Sequence, residues 1–209
     1  MNRHFIFNSL NSIQYFINTQ DRVSANKYLT NFAKLIRKNL DSSSEANSMV
    51  SLDEEIERLE LYLSLEAMRF KDRFEFRIDT GNIDTENILV PAMLLQPFIE
   101  NSIIHGILPN EEKKGLIELK IVDKADYLEV IIQDNGVGID FSLQKKHNIK
   151  GDHRSQGMEI TSKRIALLNK ISNKNFTMEG PFQIEGENHS INGTRVILKI
   201  PVNNLENQN

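Results

Sequence analysis

Residues 90–106 read VPAMLLQPFIENSIIHG. Pro91 suits the first turn of a helix that runs to about His105, with Pro97 kinking it on the way. Within that helix Asn101 and His105 stand four residues apart and share one face of an otherwise apolar segment. Polar groups in such a setting need partners. Either they hydrogen-bond a neighbouring strand, or the Asn101 carbonyl serves as a hard oxygen ligand for Mg²⁺ while Glu100 holds a water or a contact behind it.

Working downstream, residues 116–122 and 127–133 alternate apolar and polar side chains around Asp123-Lys124-Ala125-Asp126, which predicts a β-hairpin. The second strand runs straight into Asp134-Asn135-Gly136-Val137-Gly138-Ile139. The two glycines permit positive φ and close approach of backbone to a ligand, and they leave the Asp134 carboxylate facing a pocket floor. The same turn also serves as an ordinary loop. A buried carboxylate there accepts the exocyclic amine of adenine and rejects guanine, which presents an oxygen at that edge. No GxxxxGK[ST] or GxGxxG occurs, so Walker and Rossmann phosphate loops are not available.

Residues 140–155 carry Lys145, Lys146, His147, Lys150, His153 and Arg154 against only Asp140 and Asp152, with no regular apolar period. This segment reads either as a solvated loop or as a lid whose cations meet a triphosphate, closing at Gly157, where a helix N-terminus points free N–H groups at anions. Residues 157–171 are expected to be helical. Residues 176–178, 182–185 and 194–201 are expected to be strands, with Thr194 either touching phosphate or starting the last of them. Upstream, residues 50–52 form a short strand, 53–70 a helix with acids on its outer face, and 73–79 a half-buried strand. Helices and mostly hairpin-linked strands in this order imply a two-layer α/β sandwich.

The N-terminal portion is different in kind. Residues 3–40 contain neither Gly nor Pro, and Ile6, Leu10, Ile13 and Ile17 are spaced 4, 3 and 4 apart, the signature of an a/d seam. After Asp21, an N-cap, Ala25, Tyr28, Phe32 and Leu35 follow at 3, 4 and 3. The two helices make an αα-hairpin that turns near residues 19–22 and is too small to bury both stripes, so it is expected to dimerise into a four-helix bundle. Packing on the chain's own second domain is the other way to cover them. Polar residues 41–49 read as a linker. Near the start, His4 and Asn8 lie one turn apart, so the amide can orient the imidazole; a neutral imidazole is a competent nucleophile toward phosphorus.

Composition narrows the classes. The 209 residues carry 25 Lys and Arg against 29 Asp and Glu, a net charge of −4, which argues against a nucleic-acid-coating protein. Cysteine is absent, so disulfide scaffolds, Cys-zinc sites, iron–sulfur clusters and thiol nucleophiles are excluded. The longest apolar stretch, residues 88–99, is broken by Pro91, Gln96 and Pro97 and is too short to span a bilayer.

Taken together, the motifs resemble those of one family. Residues 4–11, HFIFNSLN, are similar to the phosphoacceptor motif of LytS-type sensor histidine kinases. Residues 90–106 resemble the N box of that family's Bergerat-type ATP-binding domain, a GHKL fold shared with gyrase, MutL and heat-shock chaperone ATPases. DNGVGID at 134–140 and SQGMEITSKRI at 155–165 resemble its two glycine boxes, and GTRVILKIP at 193–201 its closing segment. Five pieces in the right order cover nearly the whole chain.

The resemblance implies an α+β protein: a phosphoacceptor and dimerisation hairpin with its linker at 1–46, an ATP-binding domain at 47–203 and a tail at 204–209. It implies ATP-dependent phosphorylation of His4, with Asn8 and Glu100 as further catalytic candidates, and transfer to an aspartate of a response regulator. It implies Asn101 as the Mg²⁺ ligand and Asp134 as the adenine-reading carboxylate, with His105, Gly106, Gly136, Gly138, Ile139, Gly157, Met158 and Thr194 around the nucleotide. The partners it implies are a second copy of the chain and a response regulator, with no nucleic acid and with membrane only through upstream segments. The region would be the cytoplasmic part of an inner-membrane-anchored receptor. Since His4 lies in a first helical turn, where a helix frays, the chain is expected to bind ATP well and to autophosphorylate poorly.

Three positions depart from the pattern: Arg3 stands where the family has Pro, Phe5 where an acid would follow the histidine, and Ser155 where the second glycine box begins with Gly. A catalytically silent nucleotide-gated interaction module would fit the same fold. A serine kinase or anti-sigma switch of that fold would lack the His4-bearing hairpin.

Overall fold

A computed structural model describes residues 3–43, 49–71, 73–110, 113–139, 163, 165–167, 169–170, 175–185 and 191–202. The chain divides into two compact units, residues 1–73 with 89–94, and residues 74–88 with 95–209. The expected boundary at 46/47 falls inside the first unit.

In the first unit, α1 (Arg3–Asn18) and α2 (Arg22–Ser43) form the expected hairpin. Gln20 supplies the left-handed residue of the turn, and the Asp21 carboxylate caps α2 by accepting from the Ser24 N–H at 3.0 Å. That bond holds the Asp21 carboxyl below its ordinary range. Helix α2 continues through Asp41, Ser42 and Ser43, which were expected in the linker; residues 44–48 are outside the described set.

On α2 the expected face is the buried one, with Tyr28 and Leu35 fully enclosed. On α1 the inward face is displaced by one residue from the expected seam. Phe5 and Ser9 are buried, Phe5 packs on Phe32 and Tyr62, and Phe16 packs on Tyr28, whereas Leu10 and Ile17 are exposed. Aromatic rings reach further than Ile or Leu and fill the space above α2 and the next helix, and this settles which stripe of α1 turns inward within one chain. The Leu10 and Ile17 stripe, together with Phe7, Val23, Leu29 and Leu40, stays on the surface.

β1 (Met49–Ser51) leads directly into α3 (Leu52–Arg69), so Leu52 opens the helix instead of closing the strand. Ser51 caps it by accepting from the Glu54 N–H at 3.1 Å, and Asp53, Glu54 and Glu55 complement the positive end of its dipole. Glu55 and Arg58 are both buried and pair at 2.8 Å; Glu55 also accepts the Met93 N–H at 2.9 Å.

Pro91 does not start a helix. It ends β3 (Leu89–Pro91), which pairs antiparallel with β1 in the same unit through Met49↔Pro91 and Ser51↔Leu89. Met93 at φ +60 then breaks the chain direction.

The second unit is built on a five-stranded mixed sheet in the order β2-β4-β5-β7-β6. β2 (Phe74–Asp79) runs parallel to β4 (Gly115–Asp123), and β5 (Tyr127–Asp134), β7 (Ile191–Pro201) and β6 (Thr177–Glu185) follow antiparallel. The hairpin expected between β4 and β5 forms, closed by Lys124 N–H to Tyr127 C=O at 2.9 Å. The two short strands expected at 176–178 and 182–185 are a single strand, β6, with an irregularity between Glu179 and Phe182. Pro181 is tolerated there because β6 is an edge strand.

One face of the sheet carries Ile117, Leu119, Ile121, Leu128, Val130, Ile132, Leu198 and Ile200, all buried, and forms the core with Phe98, Ile99, Ile103 and Ile107. Helix α4 (Gln96–Asn101) begins at Gln96 with Pro97 in its first turn, where the missing N–H costs nothing, so Pro97 starts the helix and does not kink one. It passes directly into a π-helical turn, Ser102–Ile107, closed by the Leu108 N–H on the Ile103 carbonyl at 2.9 Å. Of the helix expected at 157–171, residues 163, 165–167 and 169–170 are described and helical. The Asn169 amide brackets Phe176 with two hydrogen bonds of 2.8 Å.

Candidate functional site

The site grows from the parity of β5. Buried and half-buried positions alternate along it, and Leu128, Val130, Ile132 and Asp134 all fall on the core side. A carboxylate is thereby delivered to the rim of an apolar core, with only 4% of Asp134 exposed. Desolvation pushes its carboxyl up to about 6, against the opposing pull of the Gly136 N–H, the Ser102 hydroxyl, the Thr194 N–H and the Lys113 charge. Gly136 N–H donates to Oδ1 at 2.9 Å. A carboxylate offers about four lone-pair sites, so the three donors named here leave acceptor capacity for a ligand amine.

Three glycines make room for this carboxylate and for each other. A Cβ on Gly106 would stand 2.6 Å from Asp134 Oδ1, and one on Gly136 would stand 2.2 Å from the Gly106 carbonyl carbon. Gly193, at φ +120, lies against the Asp134 carbonyl. The loop after β5 is further tied by Asn135, whose Oδ1 accepts the Leu116 N–H at 2.7 Å, and by Val137 N–H on Gly106 C=O at 3.0 Å. The π-helical turn, the β5 loop and the start of β7 thus converge on one buried acceptor, packed so closely that a side chain at any of the three glycines would collide with Asp134 or with the backbone beside it.

Of the residues read from the sequence, Gly106, Asp134, Gly136 and Thr194 come together here; Gly138 at φ +74 and Ile139 follow in the same loop. Asn101 and His105 are exposed on the same helical segment, and Glu100 is half-buried with Oε1 taking the Gln96 amide at 2.8 Å. Gly157, Met158 and the expected lid at 140–155 lie outside the described residues. In the other unit His4 is exposed on α1, with the Asn8 amide 3.1 Å from its Nδ1. Three contributors are not legible in the sequence: Ser102, which faces Asp134 from the same turn as Gly106; Gly193, which reads there only as the first residue of the closing segment; and Lys113.

The raised carboxyl makes a testable statement about pH. Its folded value, about 6, exceeds the ordinary 3.8, so the folded unit holds this proton more tightly than the unfolded chain does. The resulting stability is fully present below about 3.8 and is lost as pH rises through about 6, a swing of about 3 kcal/mol for a group this buried. Urea unfolding of the parent chain and of Asp134→Asn between about pH 4 and about pH 7 is expected to show this slope in the parent and its loss in the variant.

Comparison with known proteins bears on both units. The histidine kinase family model matches residues 1–74. Sensor protein LytS of Staphylococcus saprophyticus is 31% identical over 208 residues, covering 100% of this chain and 33% of that protein. The sensor histidine kinase/phosphatase LytS of Staphylococcus aureus MRSA252 is 31% identical over 166 residues, 79% of this chain and 27% of its own length. Sensor histidine kinase YpdA of Escherichia coli K12 is 29% identical over 170 residues, 81% of this chain and 27% of its own. The chain therefore spans a third or less of these relatives. Among solved structures, the catalytic domain of histidine kinase ThkA aligns at 21% identity and TM-score 0.46, covering 74% of this chain and 95% of that one.

Proposed function

Since the chain belongs to the LytS-type sensor histidine kinases, we propose that its sheet unit binds ATP and that the γ-phosphoryl group is transferred to His4 and then to an aspartate of a response regulator. The observation that carries this reading is the buried Asp134 carboxylate, with spare acceptor capacity, in a cradle of Gly106, Gly136 and Gly193. Such an acceptor suits the adenine amine, and the Gly136 N–H, the Ser102 hydroxyl and the Thr194 N–H hold it in one orientation.

Asn101, exposed at the end of α4, is a hard oxygen donor of the kind Mg²⁺ takes, and the ion would supply neutralisation of phosphate charge. Among the described residues no group of three His, Asp or Glu side chains could hold a metal ion, so Asn101 would share it with phosphate oxygens and waters. Glu100, His105, Gly138 and Ile139 belong to the same two segments and would flank the nucleotide, with Gly157 and Met158 contributing from the second glycine box.

For His4 to act as a nucleophile, one ring nitrogen must present a free lone pair. As placed, the Asn8 Nδ2 amide faces Nδ1 at 3.1 Å; a half-turn of that amide would let its carbonyl accept from Nδ1–H and move the ring proton off Nε2, which can then form a bond to phosphorus as the bond to the leaving ADP oxygen breaks. The exposed stripe of Phe7, Leu10 and Ile17 on α1, with Val23, Leu29 and Leu40 on α2, supports dimerisation of the hairpin into a four-helix bundle. No helix among the described residues is long and apolar enough to cross a membrane. The relatives are named as sensors and are about three times as long or more, and we read this chain as the cytoplasmic region of an anchored receptor from the family likeness.

The test is labelling with γ-phosphate-labelled ATP and Mg²⁺. We expect acid-labile, alkali-stable phosphate that disappears in His4→Gln while ATP binding persists. Acid-stable label, or label that survives in His4→Gln, would overturn the assignment.

A further inference from the structure

Two Asn-Gly pairs flank the Asp134 carboxylate in the fold, Asn135-Gly136 after β5 and Asn192-Gly193 in β7. Asn-Gly is the dipeptide in which the following backbone nitrogen most easily reaches the asparagine side-chain carbon, because glycine has no Cβ in the way. The structure treats the two pairs in opposite ways. Asn135 is clamped: Oδ1 accepts Leu116 N–H at 2.7 Å, Nδ2 donates to Lys114 C=O at 3.2 Å, and the Gly136 N–H that would attack is itself bound to Asp134 Oδ1 at 2.9 Å. Asn192 is exposed, and its Oδ1 accepts a single long bond of 3.3 Å from the Lys113 ammonium. That cation polarises the amide carbonyl and sits where negative charge develops when the carbon is attacked.

We propose that Asn192 is a spontaneous deamidation site of this protein, promoted by Lys113, and that its modification disables the neighbouring carboxylate site. The Gly193 nitrogen attacks Asn192 Cγ, a C–N bond forms, the amide C–N bond breaks and ammonia leaves with the proton from Gly193. Water then opens the cyclic imide at either carbonyl, giving aspartate or isoaspartate. No oxidant or cofactor enters the balance.

The consequence follows from the place of Gly193. Its Cα packs so closely on the Asp134 carbonyl that an added Cβ would stand 1.7 Å from the oxygen, and Thr194, the next residue, pairs with Asp134 across β5 and β7. Isoaspartate at 192 inserts a methylene into the main chain one residue before this contact, so Gly193 and Thr194 cannot both keep register. The modification itself is independent of the nucleotide reading; its effect on ATP rests on that reading.

The experiment is timed incubation of the chain in mildly alkaline buffer, followed by peptide mapping for amide-to-acid conversion and isoaspartyl methyltransferase labelling, with ATP binding measured on the same samples. Conversion at Asn192 is expected to exceed that at Asn135 by about tenfold or more, and Lys113→Ala to slow it about tenfold. Asn192→Ser is expected to abolish it and to preserve ATP binding over the same interval. Conversion that is absent at Asn192, or equal at the two sites, would overturn the proposal. Conversion at Asn192 with ATP binding undiminished would overturn the claimed consequence. Failure of fresh protein to bind ATP would count against the nucleotide reading alone, and the mapping would still decide the modification.

Discussion

Gly193→Ala is expected to cost more than about 4 kcal/mol and to leave the sheet unit unfolded or insoluble at ordinary temperature. Two penalties coincide at this position. Its φ of +120 lies where L side chains are rarely found, and the new Cβ would meet the Asp134 carbonyl oxygen at 1.7 Å and its carbon at 2.7 Å. Neither partner can withdraw, since Asp134 and Thr194 are paired in adjacent strands, β5 and β7, within the sheet. Gly81 separates the two penalties. It has φ +58 but nothing within 4 Å of an added Cβ, so Gly81→Ala should cost only about 1–2 kcal/mol, the backbone share. Urea unfolding of the two variants side by side measures the difference, and equal losses would show that packing on Asp134 contributes little.

Arg58→Met is expected to destabilise the first unit by about 3–5 kcal/mol. The pair it breaks is enclosed, with side chains 4% and 1% exposed, and Glu55 would remain buried without the guanidinium that pairs with it, while still accepting the Met93 N–H. The neighbouring pair between Lys38 and Glu57 has similarly close geometry, but its side chains are 35% and 54% exposed. Solvent screens it, so Lys38→Met should cost less than about 1 kcal/mol. Thermal unfolding compares them directly, and a loss for Arg58→Met no larger than that for Lys38→Met would contradict the contrast between the enclosed and the screened pair.

The legible parts of the molecule are those whose signal is local and periodic. Alternation along residues 127–133 predicts β5, and the same parity carried one step further puts Asp134 beside Leu128, Val130 and Ile132 on the core side. Asp21 and the Gly- and Pro-free run at 3–40 likewise announce the hairpin. The failures have non-local causes. Pro91 looks like a helix opener in isolation, but β1, some forty residues earlier, offers it a strand partner through Met49. The stripe of α1 that turns inward depends on Phe32, Tyr62 and Tyr28 waiting on other helices, which no spacing within α1 reveals. The π-helical turn at Ser102–Ile107 shifts the helical register just after Asn101 and brings Ser102 and Gly106 to Asp134. A 3.6-residue period cannot encode that shift. The role of Gly193 is not legible in the sequence because its constraint comes from a strand about sixty residues away.

Isothermal calorimetry of ATP and GTP with and without Mg²⁺, on the parent chain and on Asp134→Asn, decides whether Asp134 reads adenine. We expect Mg²⁺-aided ATP binding, GTP weaker by about a hundredfold because the exocyclic carbonyl oxygen of guanine meets the carboxylate where adenine offers an N–H donor, and a loss of about tenfold to a hundredfold for ATP in Asp134→Asn. ATP and GTP binding equally, or ATP binding unchanged in Asp134→Asn, would contradict the assignment of Asp134 as the adenine-reading group.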